Sequence, residues 1–226
     1  MDLFHTVQHP AGDGPHPTIF ALHGWGANAH DLFGLSPHLL GGEALFICPQ
    51  GPVEVPMPPG QPGPQGYGWF PITGGGPPDP AAMVAATFEL RSFIDAAKQA
   101  YPVDPNEIYV LGFSQGGVMA YDLVLRSPGE FKALVALSTW LPAEIVQHAE
   151  RGPELEALPA LVIHGENDPM IAVDRARESI ERLKGLDMEV AHAEYPMGHE
   201  INAHSLRDMV GWLGGVAAQV RGEGAG

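Results

Sequence analysis

Ile108-Tyr109-Val110-Leu111-Gly112-Phe113-Ser114-Gln115-Gly116-Gly117 is the stretch that decides the fold. Residues 108–113 are apolar and in part β-branched or aromatic, and they read as a buried strand. A helical pattern begins just after Ser114 and runs to Arg126. Working outward, further strands are expected over residues 18–23, 44–48, 133–138, 160–164 and 188–195. Helices are expected between them. Residues 28–40 can hold one. A second starts at Asp79 as N-cap with Pro80 at the first helical position, and Met83, Thr87, Leu90, Ile94, Ala97 and Tyr101 recur every three to four residues after it. A third covers residues 173–183, with Val173, Ala176, Ile180 and Leu183 on one face and Glu178 and Arg182 paired on the other. The last carries Leu206, Met209, Leu213, Val216 and Val220, with residues 221–226 expected to fray.

Strands alternating with helices imply crossover connections and a mostly parallel sheet, and continuously apolar strands imply helices on both of its faces. Ligands bind beyond the carboxyl ends of the strands in such folds. Residues just after a strand are therefore the first functional suspects.

The chain has 226 residues, and one domain over residues 1–226 is expected. With 27 acidic and 11 basic residues the net charge is −16. Nucleic acid and anionic membrane surfaces repel such a protein, so a neutral or cationic small molecule, or one that docks by apolar contacts, fits better. No apolar run is long enough to span a membrane. The first residues, Met1-Asp2-Leu3-Phe4-His5, lack the basic and apolar regions of a signal peptide. A cytoplasmic location is expected, or export with a leader or neighbouring domain removed. Cys48 is the one cysteine, which excludes an intrachain disulfide and a cysteine metal cluster, and its apolar surroundings suggest a buried thiol. Nothing in the composition speaks to oligomeric state.

Glycine and proline are in excess, at 29 and 23 residues, and residues 51–80 alone hold 8 Gly and 10 Pro. That segment is expected to lack regular structure.

Gly112-Phe113-Ser114-Gln115-Gly116 matches G-x-S-x-G directly after a strand and at the start of a helix, the context the motif requires. The turn strains the serine and lifts its Oγ above the sheet edge, and the flanking glycines let neighbouring backbone approach. A serine hydroxyl needs a base to take its proton and an acid to orient that base. The expected order after the serine is acid, then histidine. Asp168 and His199 each lie a few residues past a strand. Glu166, in the same loop, rivals Asp168 as the acid. His164 and His192 fall inside strands and His204 lies a turn into the last helix, so they are weaker bases. Asp174 lies on the following helix and reads as a cap or surface residue. An oxyanion hole needs two backbone donors. Gln115 N–H, next to the serine, is one, and Trp25 N–H, between Gly24 and Gly26 after the first long strand, is the other.

These motifs, in this order, resemble the phospholipase/carboxylesterase family: Leu22-His23-Gly24-Trp25-Gly26 with Asp31, Gly66-Tyr67-Gly68-Trp69-Phe70, Gly112-Phe113-Ser114-Gln115-Gly116-Gly117, His164-Gly165-Glu166-Asn167-Asp168 and Gly198-His199-Glu200. The family includes small bacterial carboxylesterases and acyl-protein thioesterases. The resemblance runs from about residue 17 to 220. It implies an α/β-hydrolase fold with little or no lid, a Ser114–Asp168–His199 catalytic triad and oxyanion donors at Trp25 and Gln115. The implied activity is that of a serine carboxylesterase acting through an acyl-enzyme, with acyl-thioesterase or lysophospholipase as the alternative. The proline-rich segment departs from the family pattern, and Pro71 follows Trp69-Phe70 where an acidic residue is common.

Tyr67, Trp69, Phe70, Met170 and Met197 flank these loops, and an apolar substrate pocket is expected from them. With no long insert to act as a lid, short or medium acyl chains are favoured. Residues 51–80 then read as a proline-stiffened substrate loop. Rival readings fare worse. Gly24-Trp25-Gly26-Ala27-Asn28-Ala29 satisfies a dinucleotide-binding pattern, but no acidic residue ends the next strand. His199-Glu200 and His204 fall short of a zinc helix, because the histidines are five apart. No metal and no organic cofactor are expected. A dienelactone-hydrolase-like enzyme would carry cysteine where Ser114 stands. A binding protein that kept the fold but lost the chemistry should have lost a member of the triad.

Overall fold

In the computed structural model, residues 3–56, 64–72 and 78–223 are described. Seven strands form one sheet: β1 (His5–Gln8), β2 (His16–Leu22), β3 (Leu45–Pro49), β6 (Val103–Phe113), β7 (Ala133–Leu137), β8 (Ala160–Gly165) and β9 (Val190–Tyr195). Their order is β1-β3-β2-β6-β7-β8-β9. Only β1 runs antiparallel to its neighbour; the other pairings are parallel. The alternation of apolar side chains in β2 explains how both faces are covered. Phe20 and Leu22 point into one core with Val110, Leu90 of α1 (Pro80–Ala100), Val118 of α2 (Gln115–Arg126) and Ile180 of α5 (Val173–Lys184). Ile19 and Ala21 point into the other with Leu111, Val135, and Met209 and Leu213 of α6 (Ala203–Glu223). Two short helices, α3 (Ala143–Val146) and α4 (Pro153–Glu156), lie between β7 and β8.

Local chemistry accounts for the ends of the helices. The Asp79 carboxylate accepts the Ala81 N–H at 3.0 Å and Pro80 occupies the first position of α1, as expected. The Glu178–Arg182 pair on α5 also forms, at 3.2 Å. Cys48 is buried, and burial pushes its thiol up to about 12.

Three expectations need correction. Residues 28–40 do not form an α-helix but a series of turns and two 3₁₀ segments, Phe33–Leu35 and Leu39–Gly42. Asn28 caps a local turn by accepting the His30 N–H, and Leu40 takes a positive φ of 48°. Pro37 also removes one of the donors a helix would need. Residues 51–80 do contain regular structure: β4 (Val53–Pro56) and β5 (Pro64–Gly68) pair antiparallel in a separate two-stranded ribbon. Pro56 and Pro64 are paired at the end of the ribbon that leads into residues 57–63, beyond an irregularity in register, where prolines do not interrupt the rest of the pairing. The remaining parts of that segment, residues 57–63 and 73–77, lie outside the described residues. Third, α6 continues to Glu223, past the point where fraying was expected; residues 224–226 lie outside the described residues. No helix among the described residues is long and apolar enough to cross a membrane.

Helix α2 is buried along Gln115–Leu125, including the Asp122 carboxylate. That charge is matched by Arg126 Nε at 2.7 Å and by the Thr87 hydroxyl of α1 at 2.6 Å. A Thr87→Val substitution keeps the shape and removes one of these donors. It is expected to lower unfolding free energy in urea by about 1–3 kcal/mol. Unchanged stability would show that the α1–α2 contact does not depend on that bond.

Candidate active site

Strand β6 ends at Phe113 and α2 begins at Gln115, so the reversal of direction falls on Ser114 alone. Its backbone is at φ 53°, ψ −119°. A non-glycine residue there carries strain of about 1–3 kcal/mol, and it persists only where the surroundings impose it. They do. The Ser114 N–H donates to Leu137 O at 2.9 Å, and its carbonyl accepts the Thr139 hydroxyl at 2.6 Å and the Gly117 N–H at 3.0 Å. The motif glycines are required by close approach. A Cβ on Gly112 would lie 2.4 Å from Gly116 O, and one on Gly116 would lie 2.1 Å from Leu22 O. The result presents a half-buried Ser114 at the carboxyl edge of the central strands.

Asp168 and His199 come from the loops after β8 and β9. His199 Nδ1–H donates to Asp168 Oδ2 at 2.7 Å. Asp168 Oδ1 accepts the N–H groups of Met170 and Ile171 at 2.8 and 2.9 Å. Burial alone would raise the Asp168 carboxyl. The hydrogen bonds from Ile171, His199 and Met170, with the attraction of the imidazole, hold it below the usual carboxylate range instead. With Nδ1 committed to Asp168, Nε2 is the nitrogen of His199 left to take a proton. The Phe113 ring, next to Ser114 in the chain, packs on the His199 ring with centroids 4.9 Å apart.

The rivals fall elsewhere. Glu166 and His192 are exposed. His204 is exposed in the first turn of α6. Asp174 pairs on the surface with Arg177. His164 is buried behind the acid, with Nε2 2.8 Å from Ile171 O and 3.4 Å from Asp168 Oδ2. Among the described residues, no three His, Cys, Asp or Glu side chains group as metal ligands.

The loop after β2 lies against the serine: a Cβ on Gly24 would be 3.2 Å from Ser114 Cβ. In that loop the Gly26 N–H goes to Tyr67 O and the Ala27 N–H to Gly24 O. The Trp25 N–H has no acceptor among the described residues. Gln115 N–H occupies the first position of α2, where no carbonyl one turn back can reach it.

Of the residues expected to form the pocket, only some reach an open surface. Trp69 is 1% exposed, and Phe70 is fully buried; both belong to the core on the α1–α2 side. The Trp69 indole N–H is spent on His23 O at 2.9 Å, which turns the ring inward. Met197 is buried in the opposite core. These three side chains therefore pack loops rather than line an open wall. Tyr67 is half-buried, and Met170, beside Asp168, is 74% exposed. The cleft that reaches His199 has a volume of about 370 Å³ and is lined by Asp31, Leu32, Leu35, Phe113 and Ile201. Sequence reasoning missed it because residues 28–40 read as a helix. The signal was present in Phe113, the residue between Gly112 and Ser114.

Comparison with known proteins follows the same lines. A profile of the phospholipase/carboxylesterase family matches residues 5–215. This chain belongs to that family. It is 29% identical to acyl-protein thioesterase 1 of Mycosarcoma maydis, over 90% of this chain and 92% of the relative. Among solved structures, esterase PE8 is 25% identical with a TM-score of 0.81, covering 96% of this chain and all of that one. The Bacillus cereus carboxylesterase shares the fold at 22% identity and a TM-score of 0.80, covering 95% of both chains. The fold is that of the α/β-hydrolases, and the family is one of ester and thioester hydrolases.

The electrostatics of Asp168 give a test. A carboxyl held below its ordinary value of about 3.9 contributes stability above that pH and loses it as the pH falls through the folded-state value. The stability difference between wild type and Asp168→Asn, measured by urea unfolding, should therefore shrink on acidification below about pH 4. A difference independent of pH would contradict the ionised, hydrogen-bonded Asp168.

Proposed function

We propose that the protein is a serine carboxylesterase that hydrolyses short- to medium-chain carboxylic esters through an acyl-enzyme. The observation that carries this reading is the Asp168–His199 hydrogen bond, which leaves Nε2 as a base beside the turn that bears Ser114. Ser114 Oγ attacks the ester carbonyl carbon and its proton passes to His199 Nε2. The N–H groups of Trp25 and Gln115 receive the charge on the carbonyl oxygen. The carbon–oxygen bond to the leaving group breaks, and His199 returns the proton to the departing alcohol. Water then attacks the acyl-enzyme by the same route, releasing the acid and restoring Ser114. Asp168 fixes the imidazole tautomer and stabilises the imidazolium. No step calls for a metal or cofactor.

The size of the cleft beside His199, with Leu32, Leu35, Phe113 and Ile201 among the residues that line it, supports a modest acyl group. Asp31 in its wall, with the net charge of −16, disfavours anionic substrates. The likeness to an acyl-protein thioesterase supports a second reading, in which the leaving group is a thiol. Rates over a p-nitrophenyl ester series, set against a palmitoyl thioester and a lysolipid, separate the two. A preference for C2–C6 esters is expected. A preference for the thioester or lysolipid would overturn the substrate class. Ser114→Ala should lower kcat by at least about 10³-fold while leaving the protein folded. Undiminished kcat in that variant would overturn the mechanism, and a folded wild type that hydrolyses nothing would favour a binding protein.

A further inference from the structure

The two proposed oxyanion donors lie on separate segments, the loop after β2 and the start of α2. Their spacing has to be held constant, because donors aimed where charge develops lose their effect when displaced. The end of β5 lies between these segments and is bonded to both. On the α2 side, the buried Gln115 carboxamide accepts the Trp69 backbone N–H at 2.8 Å and donates Nε2–H to Phe70 O at 2.7 Å. These two partners, a donor and an acceptor, fix which way the amide points. On the β2 side, the Trp69 indole N–H donates to His23 O at 2.9 Å, two residues before Trp25. Tyr67 adds a backbone pair: its carbonyl accepts the Gly26 N–H at 2.9 Å and its N–H donates to Ala27 O at 2.7 Å.

His23 strengthens the same junction. Its Nε2 accepts the Gly51 N–H at 3.0 Å, so Nδ1 carries the proton, which it donates to Gly24 O at 2.8 Å. Burial keeps this imidazole neutral by lowering its affinity for a proton. Between the two sides there is no slack. A Cβ on Gly68 would lie 2.1 Å from the Trp25 ring and 3.0 Å from Gln115 Oε1.

We propose that Trp69 and the Gln115 side chain are positioning residues that set the spacing of the Trp25 and Gln115 N–H groups, with the β4–β5 ribbon as their brace. The inference rests on the esterase reading above. It assigns to the glycine- and proline-rich segment a part in stabilising the transition state. Tryptophan and glutamine are the side chains this needs. Phenylalanine at position 69 would fill the same space without the indole donor. Glutamate at position 115 could accept from Trp69 but not donate to Phe70.

The test compares wild type, Trp69→Phe and Gln115→Glu on one p-nitrophenyl ester, with active sites titrated so that rates refer to folded enzyme. Each variant is expected to lose about 10- to 100-fold in kcat with KM within about twofold. Affinity for an alkyl boronic acid, which forms a tetrahedral adduct, should fall in the same proportion. Equal kcat and boronate affinity in a folded Trp69→Phe variant would overturn the positioning role, even if its melting temperature fell. If Trp69→Phe does not fold, Gln115→Met, which keeps the side-chain shape, gives the same comparison. Wild type that neither hydrolyses the ester nor binds the boronate would instead refute the esterase reading itself.

Discussion

The structure is organised around a reversal of chain direction at one residue. At Ser114 a strand buried in the middle of the sheet becomes a helix with no intervening loop, and the backbone takes a positive φ of 53°. That geometry is possible only because β6 and α2 touch backbone to backbone at Gly112 and Gly116, and because β7 and the residues after it bind the backbone N–H and carbonyl of Ser114. Helix α2 is in turn buried along nearly its whole length, so the favourable burial of Val118, Met119 and Leu123 holds the strained turn in place. Packing energy spread over a helix is thus concentrated on one hydroxyl.

Asp168 and His199, the proposed acid and base, are placed with less strain but by equally direct means. Their loops leave adjacent parallel strands, β8 and β9, in register from Ala160 with Val190 to Gly165 with Tyr195. Beyond the last pair the loops remain tied: the Glu166 N–H donates to Tyr195 O and the Asn167 N–H to Met197 O. Asp168 and His199 are thereby delivered to each other, and the carboxylate uses both oxygens on partners that fix its orientation. The chain positions the proposed oxyanion donors in the same manner, through hydrogen bonds between the ribbon and its two neighbours.

Much of this was legible in the sequence, and the reason differs between parts. The strands, the Asp79-Pro80 start of α1 and the turn at Ser114 have local signals: apolar runs, a cap and a glycine spacing that only close packing explains. Asp168 and His199 were legible because they follow strands in a parallel sheet. The misreadings share one cause, in that each depends on tertiary contacts. The positive φ of Leu40, which helps exclude a helix over residues 28–40, has no mark in the local pattern. Prolines suggested an irregular segment, yet a two-stranded ribbon accommodates Pro56 and Pro64 at the end that leads into residues 57–63. Trp69 and Phe70 were near the right loops, but nearness in sequence does not say whether a ring faces the cleft or the core. Here the acceptor at His23 O turns the indole inward, and the cleft wall is made by Leu32, Leu35 and Phe113 instead.

We infer that the strained turn makes Ser114 the nucleophile. The most direct measurement is the intact mass of the protein after brief exposure to a fluorophosphonate, followed by peptide mapping of the adduct. A single phosphonyl addition on the peptide that contains Ser114, and none in Ser114→Ala, is expected. An adduct on another residue, or labelling of Ser114→Ala at the wild-type rate, would contradict it.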